Sequence, residues 1–350
     1  MQEINSALAL FDQIEKRQAG DLVMSEAQVE LTHRCNLRCV HCYLEHKSDD
    51  EELDTAGFKS VIDQLAMNHV FFVAYTGGEI LMRKDWLELL TYTRDKGLFF
   101  GLQTNGTLIN EEVADAIFEL NPTKVEISLH GACDETHDRI TQVPSSFQRV
   151  MTAFKLLKER NIRAIIKTTV MSSNMKEIPD IQEIVNEFGF GYQPDPLVVK
   201  GIYGSANPWG YAMSDAEFLD FMRAVGWGSD EPEIVPLERK LVCRAGKTKF
   251  GVSPQGEVFP CIIWRIKAGD LKSEPLSEIW TGPVLQQVRQ IGVQDLCECR
   301  DCSVAMHCVR CPGAAFHEHN NNLAPSSQSC RLARLLEVRI SEERLRKAKS

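Results

Sequence analysis

No run of apolar residues in this 350-residue chain approaches the roughly 20 that a membrane-spanning helix needs. The stretch from Met1 to Leu10 also lacks the basic start and long apolar core of an export signal. These absences exclude a helical anchor and an export route of that kind, and they predict a cytoplasmic protein. An excess of positive charge is missing too. Lys and Arg total 39 against 49 Asp and Glu, a formal net charge of -10, whereas a phosphate-binding surface wants a basic face. Neither nucleic acid nor a membrane is therefore an expected partner. Twelve cysteines in 350 residues fall short of a disulfide scaffold, and in a reducing compartment thiols point to metal or catalytic work.

What is present is a lopsided placing of those thiols. Cys35, Cys39 and Cys42 form C-x3-C-x2-C, Cys133 stands alone, and eight more fall between Cys243 and Cys330. The first trio follows a short apolar run that reads as a strand, so three soft ligands share one tight loop. A four-iron cluster held by three thiolates keeps one iron open to another molecule. Bacterial ferredoxins space their ligands C-x2-C-x2-C-x3-C, which this loop does not match. A zinc site that includes His33 or His41 is the alternative, since zinc accepts mixed Cys/His sets.

Around the trio runs an alternation. Apolar or β-branched runs at 27–32, 70–75, 98–103, 124–129, 163–170 and 191–199 read as strands. Helix-period stretches at 54–68, 84–96, 110–120, 146–160 and 176–188 lie between them, several opened by capping residues such as Asp54, Asn110 and Ser145. Six such units predict an α/β fold, a parallel sheet curved into a partial (β/α)6 TIM-like barrel with its chemistry at the C-terminal strand ends. The polar residues fall there: Gly77, Gly78 and Glu79 after the second strand, Thr104 and Asn105 after the third, Ser128 and His130 at the fourth, Asp195 in the sixth. Glycines let backbone approach a ligand. Residues 200–212, rich in Gly and aromatics and including Tyr203, read as a loop at the barrel mouth; 214–227 reads as a helix.

With Tyr43 directly after its last cysteine, the C-x3-C-x2-C loop resembles the signature of the radical S-adenosylmethionine (SAM) superfamily. The resemblance implies a [4Fe-4S] cluster on Cys35, Cys39 and Cys42 whose unique iron chelates SAM, reductive cleavage to a 5'-deoxyadenosyl radical, and removal of a substrate hydrogen atom. It assigns Gly77-Gly78-Glu79 to the SAM amino group, Ser128 to ribose or carboxylate, Arg139 to the carboxylate through its bidentate fork, and Tyr43 to the neighbourhood of the adenine, while Thr104 and Asn105 offer hydrogen bonds to ribose hydroxyls.

The later cysteines resemble a second family feature. Cys243, Gly256 and Cys261 make C-x12-G-x4-C, with a hairpin turning at Pro254 to Gly256. Cys299, Cys302, Cys308 and Cys311 make C-x2-C-x5-C-x2-C, and Cys330 closes the set. This is similar to the SPASM domain, a cysteine-rich unit with two auxiliary [4Fe-4S] clusters. By that analogy Cys243, Cys261 and Cys311 hold the nearer cluster, with Cys297, a non-Cys group or an open iron in fourth place, and Cys299, Cys302, Cys308 and Cys330 hold the outer one. A zinc ribbon is the alternative. The expected division is an N-terminal extension at 1–24, barrel at 25–228, linker at 229–242, SPASM domain at 243–335 and a charged C-terminal helix at 336–350.

The expected activity is oxidation or crosslinking of a ribosomally made precursor peptide, with the auxiliary clusters as electron conduits and Asp195, Tyr203 or His130 as acid or base. Some relatives carry an extra peptide-binding domain at the N-terminus; residues 1–24 are too few for one, so a separate leader-binding protein is expected. A flavodoxin or ferredoxin would supply the reducing electron. Tetrapyrrole, sugar or sulfatase substrates, and a simple electron carrier, are the competing readings.

Overall fold

The computed structural model describes residues 23–44, 52–202, 208–229 and 236–349. Most of the expected N-terminal extension, residues 230–235 of the linker and Tyr203 lie outside the described residues. So does the side chain of Cys297.

Strands β1 (Glu26–Thr32), β2 (Phe72–Gly77), β3 (Phe99–Thr104), β4 (Lys124–Ser128), β5 (Ala164–Thr169) and β6 (Gly191–Asp195) lie side by side in sequence order and all run parallel. Helices α1 (Thr55–Met67), α2 (Trp86–Asp95), α3 (Glu111–Leu120), α4 (Asp134–Thr141), α5 (Ser146–Glu159) and α6 (Ile178–Phe188) connect them. This is the half-barrel that the alternation predicts. Side chains alternate across a strand, and one face carries the apolar residues: Val29, Leu31, Val73, Tyr75, Leu102 and Ile127 are buried against the helices. The opposite, concave face is polar. Register sets Gln103 beside Glu126, Ser128 beside Lys167 and Thr169 beside Asp195, so the lumen is a polar cleft able to receive a substrate.

Helix starts follow the capping residues in part. Asp54 and Asn110 accept from the N–H groups of Gly57 and Val113 at 2.8 and 2.9 Å. Ser145 does not cap α5. It sits at φ 61°, and Asp138 of α4 accepts instead from the backbone N–H of Ser145 and Phe147 at 2.5 and 2.9 Å.

The sheet does not stop at β1. The hairpin β7 (Lys249–Val252) and β8 (Glu257–Phe259) joins it, with β7 parallel to β1 in the register Glu26↔Lys249 to Val29↔Val252. A short β9 (Gly269–Asp270) completes a nine-stranded sheet. Helices α7 (Asp215–Ala224), α8 (Leu237–Leu241), α9 (Leu276–Thr281), α10 (Pro283–Gln290), α11 (Cys297–Arg300), α12 (Pro312–His319) and α13 (Ser327–Lys349) make up the remainder. The C-terminal helix packs on the rest of the chain: Leu332, Ala333, Leu335 and Ile340 are buried, and Arg331 reaches Asp215 at 2.6 Å. Among the described residues no helix is long and apolar enough to cross a membrane.

Candidate iron-sulfur and cosubstrate site

The Cys35–Cys42 loop leaves the end of β1 and is held from two sides. Arg38 and Val40 donate their backbone N–H groups to the last carbonyls of α4, Thr141 and Ile140, each at 3.0 Å. Gly78 and Glu79 donate to Thr32 and Arg34 carbonyls at 2.7 and 2.8 Å. Those contacts require glycine: a Cβ on Gly77 (φ +128°) would stand 2.3 Å from the Thr32 oxygen, and one on Gly78 2.2 Å from that of Arg34. Behind the loop, Asn105 donates to Asn36 Oδ1 at 2.9 Å and approaches Cys35 Sγ at 3.8 Å, while Asn36 donates to Thr107 Oγ1 at 2.8 Å and Thr107 to Asn105 Oδ1 at 2.6 Å. Asn36 and Thr107 carried no sequence signal, because the ring closes only when the third strand end meets the loop.

The three sulfurs share one electrostatic environment. Burial pushes the Cys35 thiol up to about 11, with Glu79 and Cys42 adding to it and the Leu37 N–H opposing. Burial, then the thiolates of Cys42 and Cys35, pushes Cys39 up further, and burial raises Cys42. Three half-buried thiols that disfavour one another's ionisation fit a bound cation, which takes the protons' place and cancels the repulsion. The all-sulfur set suits an iron-sulfur cluster.

The predicted cosubstrate residues gather here with mixed commitments. Glu79 is fully buried; Thr104 Oγ1 and the Asn105 N–H donate to it, each at 2.7 Å, and the Leu81 N–H at 3.1 Å. Burial raises its carboxyl despite these donors. Thr104 and Asn105 thus bind the Gly-Gly-Glu turn and the loop. Ser128 ends β4 in the lumen, and exposed Arg139 sits on α4 one residue before the Ile140 carbonyl that holds the loop, 3.4 Å from the Ser173 carbonyl. The Tyr43 hydroxyl lies among Glu30, Arg265, Cys42 and Cys261, and burial raises it. Asp195 opens to the lumen, its carboxyl raised by the surrounding chain against the Leu197 N–H and Lys167.

Of the two histidines in the zinc alternative, His33 turns to Glu30 at 3.3 Å. His41 instead packs edge-on to His130, ring centres 4.4 Å apart, and one ring nitrogen of each lies with Cys39 Sγ inside a 4.8 Å group. His130 is buried under the loop, held well below its ordinary pKa by burial and by His41 and His137.

The later cysteines form two groups. Burial pushes Cys261 up to about 11, and Cys243 and Cys311 act on it. Burial, then Cys330, Cys299 and Cys302, pushes Cys308 up to about 12. Cys133 is exposed. His317 donates through Nε2 to the Ile263 carbonyl at 2.7 Å, and His307 pairs with Glu337.

A parallel half-barrel with a three-cysteine loop after its first strand defines a class of iron-sulfur enzymes that use SAM. Residues 29–185 match the Radical SAM superfamily and residues 243–303 an iron-sulfur cluster-binding domain, SPASM. The chain belongs to the radical SAM superfamily, in its SPASM-bearing branch. It is 30% identical over 304 residues to the antilisterial bacteriocin subtilosin biosynthesis protein AlbA of Bacillus subtilis, covering 83% of this chain but 65% of AlbA. It is 27% identical over 323 residues to an AdoMet-dependent heme synthase of Methanosarcina barkeri, covering 82% of this chain and 90% of the synthase. Streptococcus suis SuiB, solved with S-adenosylmethionine and with precursor peptide SuiA, superposes with a TM-score of 0.72 at 16% identity, over 95% of this chain and 83% and 81% of SuiB. That likeness is one of fold. The radical SAM domain implies a [4Fe-4S] cluster and SAM, and the SPASM domain auxiliary clusters.

Proposed function

We propose that this radical SAM enzyme oxidises or crosslinks a side chain of a ribosomally made precursor peptide, using two auxiliary [4Fe-4S] clusters to accept the electron that the substrate gives up. The carrying observation is that the three-thiol loop and the Cys243, Cys261 and Cys311 group lie along one continuous sheet, joined through β1 and β7. When bound, the cluster and SAM supply the adenosyl radical that takes a hydrogen atom. The chain's part is to hold and exclude. Cys35, Cys39 and Cys42 would hold the cluster; the backbone at Gly77 and Gly78 would receive the SAM amino group while Glu79 keeps that turn in register; Arg139 would receive the carboxylate and Ser128 a ribose hydroxyl. In the lumen, Glu126, Lys167 and Gln103 give a peptide hydrogen-bonding partners, and Asp195, raised and accessible, exchanges the proton that leaves with oxidation. Cys299, Cys302, Cys308 and Cys330 hold the outer cluster. A separate leader-binding protein and a flavodoxin or ferredoxin donor complete the system, in the cytoplasm.

AlbA, named for bacteriocin biosynthesis, and SuiB, solved with a precursor peptide, support the peptide reading. The heme synthase, which this chain covers almost end to end, favours a second one, a tetrapyrrole substrate. Incubating the anaerobically reconstituted chain with reductant, SAM and either a precursor peptide from a neighbouring reading frame or an iron porphyrin decides between them. The peptide reading expects 5'-deoxyadenosine together with a mass loss on the peptide. Turnover of the porphyrin alone overturns it.

A further inference from the structure

Strand β1 is shared by the two cysteine regions. Its C-terminal loop carries the first trio, and its other neighbour is β7, where Gly251 pairs with Gln28. A Cβ on Gly251 would stand 2.9 Å from the Ile262 nitrogen and 3.1 Å from the Cys261 carbonyl carbon, so the Cys261 peptide lies directly on the strand's concave face. Cys261 Sγ there reaches Gln28 Oε1 at 3.8 Å. Four residues on, Arg265 donates through Nη2 to both oxygens of Glu30 at 2.6 and 2.7 Å, with its guanidinium carbon 5.0 Å from the ring centre of Phe259. Both charges are sealed, Glu30 at 0% and Arg265 at 8% exposure. Tyr43 bridges the two regions, its hydroxyl lying among Cys42, Glu30, Arg265 and Cys261.

A sealed ion pair is a poor way to stabilise a wall. Desolvation takes back much or all of the attraction, and well-packed apolar residues of similar volume serve as well or better. A charge in this low-dielectric position acts strongly on whatever lies beside it, and local charge and hydrogen bonding set an iron-sulfur cluster's potential. Paired, the two charges nearly cancel while the bond fixes the Cys261–Arg265 segment to β1.

We infer that Glu30 and Arg265 are positioning residues for electron transfer between the two cysteine regions: their bond docks the nearer auxiliary cluster's ligand segment on β1, and their neutrality as a pair sets that cluster's potential. The inference rests on the proposed reading in which Cys243, Cys261 and Cys311 hold a cluster. The test is a potentiometric titration, followed by electron paramagnetic resonance, of the anaerobically reconstituted full chain. Glu30→Gln removes the carboxylate that Arg265 holds and keeps the always-charged guanidinium, and the nearer cluster's midpoint potential should rise. Adding Arg265→Met to it should return the potential toward the wild-type value, and Arg265→Lys, which keeps the charge, should stay near wild type. An unshifted Glu30→Gln, or a double variant that stays as displaced as the single one, overturns the inference; loss of the nearer cluster in both variants supports the docking bond and overturns the pair's setting of the potential. A wild-type chain that binds only about four iron overturns this inference and the functional reading together; unshifted potentials at full iron content overturn the pair's role alone.

Discussion

A methyl group on Gly78 would stand 2.2 Å from the Arg34 carbonyl oxygen, an obstacle made of backbone that no side-chain rotation relieves. Gly78→Ala should therefore cost about 1–3 kcal/mol of stability, and it should strip iron from the first loop, since the displaced residue, Arg34, directly precedes Cys35. Denaturant midpoints and iron content check both; normal iron with normal stability would show that the close approach is not needed. A second prediction concerns the lumen. Burial alone would raise the Glu126 carboxyl, but Lys167, Lys124 and Gln103 outweigh it and hold the pKa below the ordinary value, with Gln103 donating at 2.8 Å. A depressed carboxylate contributes stability that is present above its unfolded pKa, about 4.3, and lost as pH falls through the lower folded value. Glu126→Gln should then cost about 1–3 kcal/mol near neutrality, with the difference from wild type closing as the pH drops below that range. Urea titrations of both proteins across the acid limb measure it; a difference that persists at the acid end would assign the effect to shape.

Helix α4 and strand β1 together carry the cysteine loop. Asp138 accepts from Ser145, Ser146 and Phe147 and so ties α4 to the start of α5, while the far end of α4 receives the Arg38 and Val40 amides. Asp138→Ala should cost about 0.5–2 kcal/mol, as loss of a cap does, and should speed hydrogen exchange at those two amides; unchanged protection would detach α4 from the loop's rigidity. The repeating units of the barrel were legible because β-branched runs and amphipathic periods alternate along the chain. Helix α4 was not, since Asp134–Thr141 is short and almost wholly polar, and its form is set by what it holds. Nor was the β1–β7 pairing, which joins residues 26–29 to 249–252 with nothing local to announce it. The second cysteine region was foreseen as a unit beyond a linker, whereas its hairpin lengthens the barrel's own sheet.

Across the whole molecule the thiols were the most legible feature, because ligand spacing is written into short stretches of chain. What spacing could not show was orientation. The Tyr43 hydroxyl lies toward Glu30 and Cys261, and the Glu30–Arg265 bond spans 235 residues of sequence. The three proposed clusters predict about twelve iron per reconstituted chain and about eight after Cys261→Ala, with the first loop still occupied; iron and sulfide assays that find no difference would remove Cys261 from the ligand set. All of this depends on the first loop presenting an open iron to SAM. The most direct measurement is the release of 5'-deoxyadenosine by the anaerobically reconstituted chain given SAM and a reductant, wild type beside Cys35→Ala. Release by the wild type and none above background from the variant is the predicted result. Release by Cys35→Ala at the wild-type rate would contradict it.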